Sequence, residues 1–273
     1  MEIKFTKMHG LGNDFIVIDL RKRGLRNLPS VVRRLSDRRF GIGFDQALIM
    51  RGSKKADFRM DIYNSDGGRA EMCGNGIRCF ARYIWERELN RKAELKIETM
   101  AGIITPLRVG KNLIRVNMGR PLFEAGLIPV RAKGSVIDRP LKAGDRRFDI
   151  ICVSMGNPHC VVFVKGLDRF PVGRYGPLIE KDRFFPQRTN VEFVEVVNKK
   201  NIRMRVWERG SGETPACGTG ACAAAVASHL KGFTRRSVRV TLKGGSLKID
   251  WAKDGHIYMT GPAEEVFEGT AVV

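Results

Sequence analysis

The feature that most constrains this chain is an internal repeat with a constant separation of 144 positions (217 − 73). Cys73 is followed by Gly-Asn-Gly, and Cys217 is followed by Gly-Thr-Gly. The run 58–63 (FRMDIY) matches the run 202–207 (IRMRVW) at the same separation and without a gap. Further matched pairs are Gly12 with Gly156, Asn13 with Asn157, and Gln46 with Asn190. A repeat this long indicates two copies of one fold unit.

The repeat also predicts where the chain divides. A length of 273 residues suits two domains of ordinary size. A Gly-Arg-Pro break at 119–121 separates the copies, and Gly261-Pro262 closes the second copy. The tail 263–273 has no partner in the repeat, so we expect it to return to the first domain. We therefore predict one domain from residues 1–118 plus 263–273, and a second from residues 119–262.

Each half reads as mostly strands around one strong helix. Short apolar or alternating runs bounded by turn residues predict six strands in each half. Helices are predicted over 76–87 and 220–230, each opening just after its cysteine. The second helix is rich in alanine, which allows close approach on all sides. We predict an α+β fold of two pseudo-symmetric domains, each a barrel-like, mostly antiparallel sheet wrapped around a central helix; the alternative is a pair of ordinary α+β sandwiches.

Composition limits which cellular compartment and which metal sites we expect. No apolar run approaches the ~20 residues that a membrane-spanning helix needs. The start of the chain, MEIKF, lacks the apolar stretch of a signal peptide, so we expect a cytoplasmic protein. There, the six cysteines are expected as thiols. No pair has C-x-x-C spacing and the four histidines are scattered, so no zinc site is expected.

The charge balance is strongly basic. Lys and Arg number 49 against 29 Asp and Glu, which gives a net charge of +20. Such an excess can signal nucleic-acid binding. Here it is spread along the chain, and its densest cluster, 21–39, partly reads as a helix with Arg33, Arg34 and Arg38 on the solvent side. The sequence therefore favours a solvated basic surface over a nucleic-acid partner.

The two cysteines carry the candidate chemistry. A glycine-rich turn at a helix start exposes backbone N–H groups that attract anions, so it can hold a carboxylate or lower the pKa of a thiol. A thiolate can then act as a base while a second thiol acts as an acid, without metal or organic cofactor. Inversion of a stereocentre heads the short list of reactions that need a thiol on each side of a carbon. The alternative for Cys73 and Cys217 is that of small buried residues, which is the role we predict for Cys79, Cys152, Cys160 and Cys222.

Four stretches of the chain closely resemble diaminopimelate epimerases. They are 8–15 (MHGLGNDF), 73–79 (CGNGIRC), 156–160 (GNPHC), and 207–220 (WERGSGETPACGTG). The resemblance runs from Phe5 to Gly261, with the motifs in the family's order. It implies interconversion of LL- and meso-2,6-diaminoheptanedioate on the route to lysine, without pyridoxal phosphate or another cofactor, and a homodimer.

The resemblance also assigns roles residue by residue. Cys73 and Cys217 match the two acid/base residues, and amides around Gly74, Asn75, Gly218 and Thr219 match the cradle of the reacting carboxylate. Contacts to the second amino acid group of the substrate fall on Asn64, Asn157, Asn190, Glu208 and Arg209. Asn13 and Gln46 match residues that line the pocket. His159, with Glu208, matches a residue that supports the reacting centre.

Two other functions remain open at this point. Proline racemases and hydroxyproline epimerases also pair two cysteines, but they typically have His where Asn75 stands, and they lack the Glu208-Arg209 pair. A basic nucleic-acid-binding module is the alternative from outside enzymology. Exchange of deuterium into amino acids separates the first from our choice, and salt-dependent nucleic-acid binding tests the second.

Overall fold

The computed structural model describes all residues from Met1 to Val273. The chain divides into two compact units: Met1–Asn117 together with Thr260–Val273, and Met118–Met259. Each unit has its own apolar core of strand and helix side chains. None of the helices combines the length and the apolar character that a membrane crossing requires.

The first unit is an eight-stranded sheet in the order β19-β1-β2-β3-β4-β6-β7, with β5 beside β4. The β2–β3 and β4–β6 pairs are parallel and the other pairs of this sheet are antiparallel. Its strands are β1 (Glu2–Gly10), β2 (Asn13–Asp19), β3 (Gln46–Arg51), β4 (Phe58–Asn64), β5 (Arg69–Ala70), β6 (Ile97–Thr99), β7 (Gly102–Ile104) and β19 (Glu264–Val272). Its helices are α1 (Leu28–Ser36) and α2 (Gly74–Glu86). Two short strands, β8 (Leu107–Arg108) and β9 (Leu113–Asn117), pair antiparallel.

The second unit follows the same plan with the strand order β10-β11-β12-β13-β14-β16-β17-β18, and with β15 beside β14. The strands are β10 (Arg139–Ala143), β11 (Arg146–Ser154), β12 (Pro158–Phe163), β13 (Asn190–Asn198), β14 (Asn201–Glu208), β15 (Gly212–Thr214), β16 (Ser237–Leu242), β17 (Gly245–Trp251) and β18 (Ile257–Pro262). Its helices are α3 (Val172–Glu180) and α4 (Gly218–Leu230), and two 3-10 turns span Ala125–Leu127 and Leu167–Arg169.

Strand register shows the repeat in three dimensions. In the first unit, the parallel pair β2–β3 sets Phe15 opposite Gln46. In the second unit, the parallel pair β12–β13 sets His159 opposite Asn190, and both residues lie 144 positions further along. The parallel pairs β4–β6 and β14–β16 also correspond, with the partner strand shifted by one residue: Phe58 lies opposite Ile97, and Ile202 lies opposite Val240. Both halves therefore route the chain alike, which confirms the predicted α+β class and the internal repeat.

One helix lies against the inside of each sheet. The α2 helix contacts β1, β2, β3, β9 and β19, and α4 contacts β11, β12, β13, β14, β16 and β17. Every residue of α4 from Gly220 to Ser228 is buried, because alanine and glycine let the strands approach on all sides. A sheet that contacts a helix from six strands must curve around it, so the prediction of a sheet wrapped about an alanine-rich helix is confirmed.

Two local features differ from the expectations. Both central helices begin two residues earlier than predicted, at Gly74 and Gly218, because the preceding cysteine caps the first turn. The α3 helix was not predicted, since its Gly and Pro residues mask its helical pattern. The tail of the chain forms β19, which pairs antiparallel with β1 of the first unit.

Two predictions about side-chain placement are confirmed. The four cysteines expected in the core (Cys79, Cys152, Cys160 and Cys222) are all buried. In the basic cluster, α1 buries Val32 and Leu35 while Arg33 and Arg34 are exposed. The arginines of this helix therefore form a solvated face.

Candidate active site

Both candidate cysteines occupy the N-cap position of a 13-residue helix. Cys73 has φ −142° and ψ 115°, and Cys217 has φ −129° and ψ 115°. In each case the amide of the third residue along, Gly76 or Gly220, donates to the sulfur at 3.4 Å. Sulfur thus takes the place of the oxygen that usually caps a helix. The two halves of the repeat hold their thiols in the same local geometry.

Three predicted site residues of the first unit are joined by hydrogen bonds at the head of α2. The Cys73 thiol donates to Asn13 Oδ1 at 3.8 Å, and Asn75 Nδ2 donates to the same oxygen at 3.2 Å. Asn13 lies at the start of β2, so this contact ties the sheet to the helix head. Two other predicted residues form a separate pair, in which Gln46 Nε2 donates to Asn64 Oδ1 at 2.8 Å.

Arg78 is a residue of this site that the sequence reasoning missed. Its side chain is fully buried inside the first unit. It donates to the Gly74 carbonyl at 3.0 Å, to Asn75 Oδ1 at 2.9 Å and to the Pro262 carbonyl at 3.1 Å. It thereby fixes the first turn of α2 and the amide of Asn75. Its position inside the 73–79 motif was the available signal.

An ionic network adjoins Asn13 and was also missed. Asn13 Nδ2 donates to Asp45 Oδ2 at 2.7 Å, and Arg38 bridges Asp45 and Asp14 with contacts of 2.8 Å. Lys7 donates to Asp14 at 2.6 Å. Burial opposes ionisation of Asp14, but hydrogen bonds from Arg38 and Lys7 outweigh it and lower its pKa to about 2. The network therefore holds Asn13 in place through Asp45 and Arg38.

In the second unit, His159 lies between two polar partners. Asn157 was predicted as a site residue, and Glu192 was not. His159 Nε2 is 2.8 Å from Asn157 Oδ1, and its Nδ1 is 2.7 Å from Glu192 Oε1. His159 and Glu192 are both fully buried. Glu192 was not predicted, because β13 is buried on both faces and its sequence does not alternate. The only available sequence signal was a glutamate beside Val191 in a largely apolar run.

Glu208 and Cys217 are neighbouring titratable groups in this unit. Burial raises the pKa of Glu208, against the opposing effects of hydrogen bonds with Thr214 and Cys217 and of the nearby His159. Burial also raises the pKa of the Cys217 thiol well above its usual value, and the charges of Glu208 and Glu192 add to this. The contacts with Thr219 and the Gly220 amide oppose the rise without reversing it. The amide at the helix start does lower the pKa of Cys217, but burial and the two carboxylates outweigh this effect.

The remaining predicted residues of the second unit lie around the end of β14. The Arg209 amide donates to Asn190 Oδ1 at 3.0 Å, and Asn190 Nδ2 donates to the Pro158 carbonyl at 2.8 Å. The exposed Arg209 guanidinium donates to the Gln187 carbonyl at 3.3 Å. Gly218 and Thr219 form the first turn of α4, with Thr219 Oγ1 3.5 Å from the Cys217 sulfur. These contacts bring Asn157, Asn190 and Arg209 to one edge of the sheet.

Glu180, at the end of α3, holds the loop that carries Arg209. It accepts from Trp207 Nε1 at 2.8 Å and from the Gly210 amide at 2.9 Å, and it is buried. Gly176 of the same helix lies against the Trp207 ring, where a Cβ would come within 2.6 Å. The unpredicted helix therefore positions residues 207–210. No cluster of His, Cys, Asp and Glu in the chain has the arrangement of a metal centre.

Comparison with known proteins gives a consistent family. The sequence pattern of the family described as Diaminopimelate epimerase matches residues 5–124 and 151–266. A diaminopimelate epimerase of Moorella thermoacetica is 52% identical, and the match covers 97% of this chain and 98% of that protein. A diaminopimelate epimerase of Leptospira biflexa is 48% identical over 98% of this chain and 99% of that protein.

A solved structure shares the fold. A phenazine biosynthesis protein of the PhzF family from Bacillus anthracis superimposes with a TM-score of 0.75 over the whole of both chains, at 18% identity. That likeness supports the two-domain α+β architecture. Since both halves of the repeat match the family pattern and the curated relatives match end to end, the chain belongs to the diaminopimelate epimerase family.

Proposed function

We propose that this chain epimerises diaminopimelate, interconverting the LL and meso forms on the route to lysine, with Cys73 and Cys217 as the two acid/base groups. Family membership supports the substrate and the reaction. The observation that carries the mechanism is the matched N-cap geometry, in which each sulfur accepts an amide hydrogen at 3.4 Å. One thiolate removes the α-hydrogen and the other thiol delivers a proton to the opposite face of the same carbon.

The helix heads are suited to the substrate's reacting carboxylate. Loss of the α-proton builds negative charge on that carboxylate, and amides already aimed at it stabilise the transition state without reorganisation. The candidate donors are the amides around Gly74 and Asn75 on α2, and around Gly218 and Thr219 on α4. Arg78 supports this assignment, because it holds both Gly74 and Asn75 in place.

Recognition of the distal amino acid group falls to the polar residues at the strand ends. Arg209 presents a planar fork that suits a carboxylate, and its guanidinium is exposed. Glu208 suits an ammonium group. We assign Asn64, Asn157 and Asn190 to the same head group, with Asn13 and Gln46 lining the pocket.

His159 is assigned a supporting role beside Glu208. It contacts Asn157 at 2.8 Å, and its charge lowers the pKa of Glu208 against the effect of burial. It therefore connects a substrate-binding residue to the acidic surroundings of Cys217. The proposal uses no metal or organic cofactor, since the thiols supply both proton transfers.

The remaining parts of the proposal concern the setting of the enzyme. We propose a homodimer in the cytoplasm, where thiols stay reduced. Light scattering tests the dimer, and a tagged copy of the chain followed in cell fractions tests the compartment. We also propose that the basic surface, which includes the exposed arginines of α1, has no nucleic-acid partner. Binding of nucleic acid at physiological salt with a steep salt slope would contradict that assignment.

Incubation with candidate amino acids in deuterated water tests the reaction. LL-diaminopimelate, proline and hydroxyproline are each supplied to the purified chain, and label at the α-carbon is followed by NMR. We expect deuterium in diaminopimelate together with the meso product, and none in proline or hydroxyproline. Label in proline or hydroxyproline and none in diaminopimelate would overturn the proposal.

A further inference from the structure

Glu192 is a buried carboxylate that has no role in the proposed function. It is fully buried in β13, with Oε1 2.7 Å from His159 Nδ1. Its second oxygen, Oε2, is buried and has no hydrogen-bond partner. A buried carboxylate with one unpaired oxygen is costly to stability. A residue that costs stability in this way calls for a functional explanation.

The carboxylate lies against the first turn of α4. A Cβ added at Gly220 would come 2.8 Å from Glu192 Oε1 and 3.3 Å from Cys217 Sγ. Because residue 220 is a glycine, the carboxylate oxygen and the sulfur border the same small space beside its Cα. Charge on Glu192 contributes to the raised pKa of the Cys217 thiol, after burial and Glu208.

His159 is the hydrogen-bond partner of the buried Glu192 side chain. The two ring nitrogens face two oxygens, Glu192 Oε1 and Asn157 Oδ1. A carboxylate oxygen only accepts, so the contact with Glu192 requires an N–H at Nδ1. Pairing of this kind is what makes a buried charge tolerable.

Titratable groups reach the surroundings of Cys217 from three strands. They are His159 on β12, Glu192 on β13 and Glu208 on β14. From α4 itself, the Thr219 hydroxyl and the Gly220 amide contact the sulfur. Two of the three strand groups are carboxylates, so the surroundings disfavour a second negative charge on the sulfur.

The first unit shows that the fold does not require this charged pair. The residues 144 positions before His159 and Glu192 are Phe15 and Leu48. They occupy the corresponding place, because a Cβ at Gly76 would lie 3.1 Å from Leu48 Cδ2 and 3.4 Å from Phe15 Cε1. The same architecture is thus built with an apolar pair around Cys73. The charged pair is a property of the Cys217 side alone.

We propose that Glu192 is a positioning residue that holds His159 through Nδ1 and keeps a negative charge beside Cys217, so that Cys217 carries its proton at rest. Its use in catalysis rests on the proposed function, in which Cys217 then serves first as the acid. Glu192 itself does not touch the reacting atoms in this assignment.

Alkylation of Cys217 as a function of pH tests the inference. In a Cys73→Ser background, iodoacetamide labelling of Cys217 is mapped by mass spectrometry, with and without Glu192→Gln. Removal of the neighbouring charge should lower the pH midpoint of labelling by about one unit or more. Glu192→Asp keeps the charge and should stay closer to the parent. A midpoint that is unchanged or raised in Glu192→Gln would overturn the inference.

Two further measurements separate this effect from misfolding. Labelling of Cys73 in a Cys217→Ser background should change less with Glu192→Gln than labelling of Cys217 does, because the side chains beside the head of α2 are Phe15 and Leu48. If Glu192→Gln does not fold, Glu192→Met, which is uncharged and of similar length, carries the same expectation. A Glu192→Met midpoint at or above that of the parent overturns the inference equally.

The outcome is distinguishable from failure of the proposed function. A wild-type chain that does not exchange deuterium into diaminopimelate refutes the function, while the labelling midpoint still decides the role of Glu192. With an active enzyme, the alkaline limb of the pH profile should move to lower pH in Glu192→Gln for the direction that needs Cys217 as a thiol. An active Glu192→Gln variant with an unshifted profile would also contradict the inference.

Discussion

The heads of α2 and α4 share a backbone and differ in the side chains around it. Both have a cysteine at the N-cap, a glycine-rich first turn and an amide-to-sulfur contact of 3.4 Å. Around Cys73 the corresponding strands supply Phe15 and Leu48, whereas around Cys217 they supply His159 and Glu192. The repeat has therefore kept the glycine-rich helix start twice and has the His–Glu pair in the second unit only.

This difference indicates that carboxylate binding and proton transfer depend on different groups, the backbone amides for the first and the surrounding side chains for the second. Backbone amides at a helix start can serve a carboxylate in either half. The charge state of a thiol depends instead on burial and on neighbouring carboxylates, which raise the pKa of Cys217. A two-base reaction needs one thiolate and one thiol, so unequal surroundings suit it better than equal ones.

The largest effect is expected where the two heads are equivalent. Cys73→Ala and Cys217→Ala should each lower the epimerisation rate by about a thousandfold or more, because each removes one of two obligatory proton carriers. The rate is measured with LL-diaminopimelate as substrate. Circular dichroism checks the fold, with Cys152→Ala as a control that alters a buried cysteine away from both helix heads. Near wild-type turnover in either variant would remove that cysteine from the acid/base pair.

A second contrast lies one turn into each helix, where Arg78 corresponds to Cys222. Both are fully buried, but Arg78 holds the turn through three side-chain hydrogen bonds to Gly74, Asn75 and Pro262. Arg78→Met should lower the free energy of unfolding by about 3 kcal/mol, because it leaves buried acceptors unsatisfied. Cys222→Ala should cost about 1 kcal/mol, the loss of a small buried group. Urea denaturation measures both, and equal losses would contradict the structural role of Arg78.

The third contrast concerns the glycine that donates to each sulfur. Gly220→Ala should disturb the site more than Gly76→Ala, since its Cβ would come 2.8 Å from the paired Glu192 carboxylate and 3.3 Å from the sulfur. Gly76→Ala meets Cys73 Cβ at 3.3 Å and the apolar tips of Leu48 and Phe15, and these tips can shift slightly. We expect Gly220→Ala to cost about 2 kcal/mol and Gly76→Ala to cost less than about 1 kcal/mol. The cost falls on the activation free energy of epimerisation or on the free energy of unfolding. Steady-state kinetics with thermal unfolding measures both, and the reverse order would argue against a fixed Glu192.

The smallest effect is expected at Asp14, whose counterpart in the repeat is Pro158. The pKa of Asp14 is lowered from 3.8 to about 2, so its stabilising contribution is present above pH 3.8 and is lost as pH falls towards 2. Asp14→Asn should remove about 1 kcal/mol of the stability difference between pH 5 and pH 2, after allowance for the exposed partner Arg38. The exposed Glu88→Gln is the matched control. An unaltered pH dependence of unfolding in Asp14→Asn would contradict the role of this network.

The sequence predicted the architecture well because a repeat constrains both copies at once. The curved sheet around an alanine-rich helix followed from composition and spacing, and the structure confirms it. Helix boundaries were less accurate at Gly74 and Gly218, because a cysteine acting as an N-cap has no strong sequence signal. The α3 helix escaped detection because Gly176 and Pro177 break the usual pattern, although packing on Trp207 stabilises it.

The sequence predicted the motif residues of the candidate site, but it did not predict the side chains that hold those residues in place. Arg78 and Glu180 act through contacts that link distant parts of the sequence, and no local pattern reveals such partners. Glu192 lies in a strand that is buried on both faces, where alternation gives no information. The motif predicted the cysteines as chemical groups, but only the surrounding side chains show that Cys217 favours its protonated form.

The central claim is that two sulfur atoms pass hydrogen across one carbon from opposite faces. Its most direct test is the initial-rate labelling of LL-diaminopimelate in deuterated water, with substrate and product separated before analysis. The account predicts one solvent deuterium at the inverted carbon of each new meso molecule, while the remaining LL substrate stays unlabelled. Meso product that keeps the original hydrogen would mean that a single base serves both faces, and would contradict the account.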